Sequence, residues 1–553
     1  MPAEAVTLQL GPYAGSTGAH WWGLQAAALR RPAEAAELRS SALLRPAHAP
    51  GGREVHVPRL VALQLKGTGG RGRRGGARGG ASPTCPHLCC RNGAVAAYLD
   101  TGSQGTGVPA SGSAEARGVC SDAGGTQGPR PPEQDAPSPC PAGPGAPPGM
   151  GHWCCPEGLG TDAGRNVPLW SHHPNVQLHP KSLYIIRQYM HDGYGLEAFA
   201  QGEGLLQDPA CMEELEDRLH YFTEECDSLQ GFQVLCDLHN GFSGVGAKVT
   251  ELLRDEYSGK GILSWGLTPD SHRNAYRLMN TALGIIHLST HSSLFCPMSL
   301  GGSLGLKPQP PVTFPYLSYD ASLSSHSSAI LAAALDTLTV PYRLSCSQGS
   351  ILHLAETLNF SGRKVAAAWA SVPFPALHGS SLPDALCTHQ DVPWKLLASC
   401  RERRGSSCFA QSVLLWPQRL CVTPCTANQQ LRVPSTSHVL EQPCYTPAPY
   451  PQFFSPRLSR QGFLLDQAPP SSPAAVESIP VLAALRSAPV LHTLLYGLYK
   501  DLQQLNPRRC ASFFSAGLEQ EDFQEALHRL RTLSQCYETE LEAEESDDEA
   551  DSD

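Results

Sequence analysis

The chain lacks any long apolar run. Its longest, residues 329–340, is interrupted by Asp336 and is too short to span a bilayer. The first ten residues carry no basic group ahead of an apolar stretch, which argues against a secretory signal and against an Arg-rich mitochondrial presequence. A cytosolic protein is expected, in which the 20 cysteines are reduced thiols rather than a disulfide framework. Net charge is −10, but the acid is concentrated in residues 538–553. The body that remains is close to neutral, so a general nucleic-acid surface is not expected.

What is present is size and two glycine-rich junctions. A chain of 553 residues with 41% hydrophobic content can build two or three domains or one large two-part unit. Residues 230–253 read QGFQVLCDLHNGFSGVGAKVTELL. Phe232, Val234, Leu235 and Cys236 form an apolar run of buried-strand length; Gly241, Gly244 and Gly246 follow; Val249, Leu252 and Leu253 then suit a helix. Strand, glycine loop and helix together offer backbone N–H groups and a positive helix end to an anion. The same pattern also arises from packing alone. Gly246 is followed by Ala247 and Lys248 without a hydroxyl, which excludes a P-loop, and the order G-x-x-G-x-G is not the dinucleotide fingerprint. Residues 5–10 form a second strand, Gly11 breaks it, and Gly15 and Gly18 precede a helix over 19–29 carrying Trp21 and Trp22. Here too a packing turn under an amphipathic helix stands beside phosphate binding. Pro12 removes one backbone donor and Tyr13 adds bulk.

The rest of the chain alternates strands and helices. A strand is expected over 55–65. From 67 to 165 the composition turns to Gly, Pro, Ala, Ser and Arg with scattered cysteines, which cannot bury enough apolar surface to order itself, and a disordered insert is expected. Within it Cys85, His87, Cys89 and Cys90, with His152, Cys154 and Cys155, match no zinc-finger spacing and are read as incidental, so no metal is expected. The basic run 71–78 is read as solvated. Strands are expected at 183–186 and 261–267 and helices at 212–229 and 274–288, the first with its apolar stripe at Leu215, Leu219, Phe222, Cys226 and Leu229. A strand over 314–319, a buried helix over 329–338, strands at 412–416 and 479–485, and helices at 491–505 and 521–541 complete the pattern. The last helix carries Leu527, Leu530, Leu533 and Tyr537.

These segments resemble tubulin. LQGF precedes the second glycine loop in both; Ser243, Gly244 and Gly246 fall on the loop's threonine and glycines, while Phe242 replaces a glycine. Gly11 and Gly18 fall on the outer glycines of the first nucleotide loop, and Trp22 on its tryptophan. Asn274, in RNAYRL, falls on the asparagine that contacts guanine, although a helix N-cap explains it equally well. FPYLSY resembles the strand opening the second tubulin domain. The runs HWW, EELEDRLH, LCDLHNGFSGVGAK, RDEYSG and CPMSLGGSLGLKP further resemble the misato family, a tubulin-related eukaryotic family. The resemblance implies an α/β fold: a tubulin-like, Rossmann-type nucleotide-binding core (1–66 and 166–312), a smaller α+β second domain (313–537), the 67–165 insert and an acidic disordered tail (538–553). It implies a GTP or GDP site drawn from Gly11, Gly15, Gly18, Gly241, Ser243, Gly244, Gly246 and Asn274. Residues 296–312, where tubulins carry the acidic residues that complete a neighbour's active site, contain no Asp or Glu. The expectation is therefore a noncatalytic tubulin-like protein acting on mitochondrial distribution, morphology and fusion, and on microtubule or spindle organisation. It is expected in the cytoplasm and peripherally at the mitochondrial outer membrane, with an outer-membrane receptor and tubulin or its folding machinery as partners. A GTP-binding switch or polymerising GTPase, and a tubulin-folding factor, are the alternatives.

Overall fold

A computed structural model describes residues 3–30, 37–48, 54–66, 176–190, 195–271, 274–305, 307, 309–345, 349–377, 394–400, 408–416, 434–440, 443–467, 475–506 and 510–538. All belong to one of two compact units, residues 1–98 with 166–553; the other, Leu99–Arg165, lies outside the described residues. The expected insert, its cysteines and histidines, and the acidic tail beyond residue 538 also lie outside them.

In chain order the first half runs β1 (Glu4–Leu10), α1 (Pro12–Ala28), a ribbon of β2 (Leu44–His48) and β3 (Glu54–Pro58), β4 (Leu60–Lys66), β5 (Leu183–Met190), α2 (Phe199–Leu205), α3 (Pro209–Glu224), β6 (Leu229–Asp237), α4 (Phe242–Glu256), β7 (Gly261–Leu267), α5 (Ala275–His291) and β8 (Leu294–Met298). The second half runs α6 (Ser324–Leu338), α7 (Ile351–Leu358), β9 (Ala367–Ser371), β10 (Lys395–Leu396), β11 (Ala410–Trp416), β12 (Ser435–Val439), β13 (Cys444–Tyr445), β14 (Ser478–Ile479), β15 (Val481–Ser487), α8 (Val490–Gln503), α9 (Ala511–Phe514) and α10 (Gln520–Gln535).

β1, β4, β5, β6, β7 and β8 form one parallel sheet in the order β5-β4-β1-β6-β7-β8. Both faces are covered, so β1, the last seven residues of β6 and all of β7 are buried whether apolar or polar. Strand order reverses at β1: the chain adds strands on one side as far as β5, then returns to lay β6 on the other. The carboxyl ends of β1 and β6 therefore form the topological switch point, where α/β sheets hold ligands. The second domain is a mixed sheet in the order β10-β9-β15-β11-β12, with α6 packed against β15. This is the tubulin-like α/β core with an α+β second domain.

Three local expectations are corrected. The strand expected over 55–65 is two: β3 pairs with β2, β4 pairs with β1, and the chain turns at Arg59, whose buried guanidinium donates to the carbonyls of Ser41 (2.8 Å) and Leu44 (2.9 Å). FPYLSY is a turn rather than a strand. Pro315 has no N–H to donate, and only Leu317 bridges, to Phe454. Finally, Gly15, Gly18, Ser243, Gly244 and Gly246 are not in loops: α1 begins at Pro12 and α4 at Phe242, so all five lie inside helices. Proline at the first helical position suits a helix start, because the missing N–H has no intrahelical acceptor there.

Candidate functional site

The switch point is organised by a residue that the motif reading passed over. Asp237 ends β6, is fully buried, and lies beside the start of α1 because β1 and β6 are hydrogen-bonded neighbours. One carboxylate oxygen accepts the backbone N–H of Ala14 at 2.7 Å and the other that of Tyr13 at 3.1 Å. These are the donors a helix leaves unsatisfied at its start. The remaining donors there are engaged too: Gly11 N–H bonds the Leu63 carbonyl (3.2 Å), Gly15 N–H bonds that of Gly11 (2.9 Å), and Pro12 has none. Burial pushes the Asp237 carboxyl up to about 7, opposed by the two backbone amides, by Asn240 and by Arg277.

Asn240 carries the network to the second glycine segment. Its side-chain amide donates to Asp237 at 3.3 Å, and its side-chain oxygen accepts the Phe242 N–H at 2.9 Å, the first of α4. Ser243 N–H and Oγ both bond the Asn240 carbonyl (3.1 and 2.8 Å). Gly244 and Val245 N–H bond the Gly241 carbonyl (3.1 and 3.3 Å), and Gly241 N–H bonds that of Leu196 (2.9 Å). The backbone donors of both helix starts are thus satisfied within the chain.

The glycines have packing reasons. Gly11 has φ +109°, and a Cβ there would stand 2.5 Å from the Asp237 carboxylate. Gly15 and Gly18 make room for the side-chain amides of Gln64 and Gln9, and Gly246 for the Cys236 sulfur at 2.5 Å. Gly241 and Gly244 let α2 cross the start of α4 backbone to backbone: a Cβ on Gly241 would meet the Ala198 carbonyl at 2.7 Å, and one on Gly244 would collide with the Phe199 carbonyl. Structure therefore gathers Gly11 and the 239–241 turn around Asp237, and turns Gly15, Gly18, Gly244 and Gly246 toward other neighbours. Asn274 stands apart. It is exposed, caps α5 by accepting the Arg277 N–H at 2.8 Å, and borders a cleft with Asp270, Arg277 and Thr281.

The group implied by the tubulin resemblance is a guanine nucleotide, and the residues present do not fit it. Its phosphates would need backbone donors that Asp237, Asn240 and neighbouring carbonyls already hold, and its charge would stand against a buried carboxylate. Asp237, Asn240, Gln9 and Gln64 escaped the sequence reading; the only signal was a charged residue closing an apolar strand. Among the described residues no group of three metal-ligating side chains comes together.

The Misato Segment II tubulin-like domain matches residues 3–91, and the Tubulin domain matches residues 160–344. Protein misato homolog 1 of Bos taurus is 45% identical over 97% of this chain and 98% of its own length, and that of Homo sapiens is 45% identical over the same shares. The chain belongs to the misato family. Protein misato of Drosophila melanogaster is 28% identical over 66% of this chain and 71% of its own. In the tubulin-like core of this misato-family member, the chain's own side chains and carbonyls occupy the backbone donors at the starts of α1 and α4.

Proposed function

We propose that this misato-family protein is a noncatalytic tubulin-like protein that acts through protein partners on the distribution, morphology and fusion of mitochondria. The carrying observation is the closed hydrogen-bond network of Asp237 and Asn240 across the starts of α1 and α4. A fold whose switch point is satisfied internally retains its surfaces as its means of action. The mitochondrial role rests on family membership. So does the location, in the cytoplasm and peripherally at the outer membrane; no helix among the described residues is long and apolar enough to cross a membrane, which fits attachment through a protein receptor.

Calorimetry of the purified chain with GTP and with GDP tests the first half of the proposal. No binding heat is expected; micromolar binding that weakens in Asn274→Ala would overturn the noncatalytic reading and favour a nucleotide switch. Depletion of the protein from cells tests the second half. The mitochondrial network should change shape and recover on re-expression, and an unaltered network would reject the mitochondrial role.

A further inference from the structure

We infer that Asp237 is a built-in substitute for a bound anion: its carboxylate, tied to Asn240, holds the starts of α1 and α4 together where a nucleotide fold uses phosphate. The inference rests on the noncatalytic reading and gives it a physical cause.

Three independent observations carry it. The first is directional. Both oxygens of one carboxylate accept N–H groups from successive residues at the first turn of a 17-residue helix, the arrangement by which helix starts hold anions. The second is steric. Residue 11 has a left-handed φ, and any Cβ there would strike the Asp237 carboxyl, so this backbone corner is shaped around the side chain. The third is the bridge. Asn240 donates to Asp237 while accepting from the first N–H of α4, so a single two-residue network serves both helix starts. Arg277 contributes opposite charge from α5. The carboxyl group is part of the chain and cannot dissociate from it, so the two helices are held in one arrangement that no nucleotide exchange alters.

Asp237→Ala removes a group the size of formate. The variant should melt below the wild type in chloride buffer, and sodium formate at matched ionic strength should restore part of the loss while leaving the wild type unmoved. Inorganic phosphate forms a second arm, since recovery there shows that the seat also admits the larger anion. A variant as stable as the wild type, or a loss that neither anion reverses, would overturn the inference. If Asp237→Ala does not fold, hydrogen exchange on the unmodified full chain decides. The Tyr13 and Ala14 amides should be strongly protected in buffer free of phosphate and nucleotide, and exchange at the rate of an open peptide would reject the internal anion. Failure of these tests with no GTP binding by the wild type sinks this inference alone; GTP binding by the wild type sinks the noncatalytic reading itself.

Discussion

Asp336 shows how much one side chain can hold in this core. It is buried on α6 and accepts the Trp21 indole N–H at 3.2 Å, the Gln25 amide, and the guanidinium of Arg343, itself buried, at 3.0 Å. Burial raises its carboxyl, with Arg343 opposing. Asp336→Ala would strand a buried guanidinium, and a loss of about 3–5 kcal/mol is expected in urea unfolding; a loss under about 1 kcal/mol would show that Arg343 finds water instead. Glu203 on α2 gives a pH signature. Burial pushes it up to about 7, with Glu251 and Asp522 adding to the effect and Lys248 opposing it. An unfolded Glu releases its proton near 4.5, so between 4.5 and 7 the folded chain keeps a proton that the unfolded chain has lost. Measured against a side chain that never ionises, the effect is nil below 4.5, grows as a penalty through the window, and is complete above 7. Glu203→Gln should match the wild-type pH trend below this window and exceed wild-type stability above it by about 1–2 kcal/mol, a figure reduced for partial exposure. Parallel melting curves of the two proteins across the whole range would refute the assignment.

At the scale of elements, glycine has opposite meanings in two helices. In α4, Gly244 faces the Phe199 carbonyl with no room for a methyl group, so Gly244→Ala should separate α2 from α4 and cost several kcal/mol. In α8, Gly497 is exposed and nothing lies within 4 Å of its missing Cβ, so Gly497→Ala should raise stability by about 0.5–1 kcal/mol. Thermal melts of the pair decide: equal shifts would mean that the α2–α4 crossing does not depend on glycine. Elements with strong periodicity were legible beforehand. Leu215, Leu219 and Phe222 are buried on α3 as their spacing requires, although α3 stops at Glu224 and Leu229 already belongs to β6. Short or proline-interrupted pieces were not. α2, of seven residues, is too short to show a period, and FPYLSY reads as a strand because apolar content cannot show a missing N–H partner. The glycine segments were seen, but a glycine that opens a loop and one that admits a neighbouring backbone read alike until the neighbour is placed.

At the scale of the whole molecule, the two halves share one core. One buried cluster runs without a break from Trp21, Trp22 and Trp265 of the first half to Leu331, Leu335, Tyr342 and Leu485 of the second. The sheets also meet directly, where Phe295 exchanges hydrogen bonds with Lys364 (2.8 Å) and Ala366 (2.9 Å). Unfolding of the described unit should therefore be cooperative, with far-ultraviolet dichroism and tryptophan fluorescence giving coincident midpoints; separated midpoints would show halves that melt independently. The α/β class and the tubulin resemblance followed from sequence alone, because hydrophobic periodicity and glycine placement are local properties that each segment carries with it. What the switch point does was decided by tertiary structure. Asp237 and Tyr13 are 224 positions apart. Only the strand order, which lays β6 against β1, brings a buried carboxylate to the open end of a helix and so turns a nucleotide motif into an internal bond.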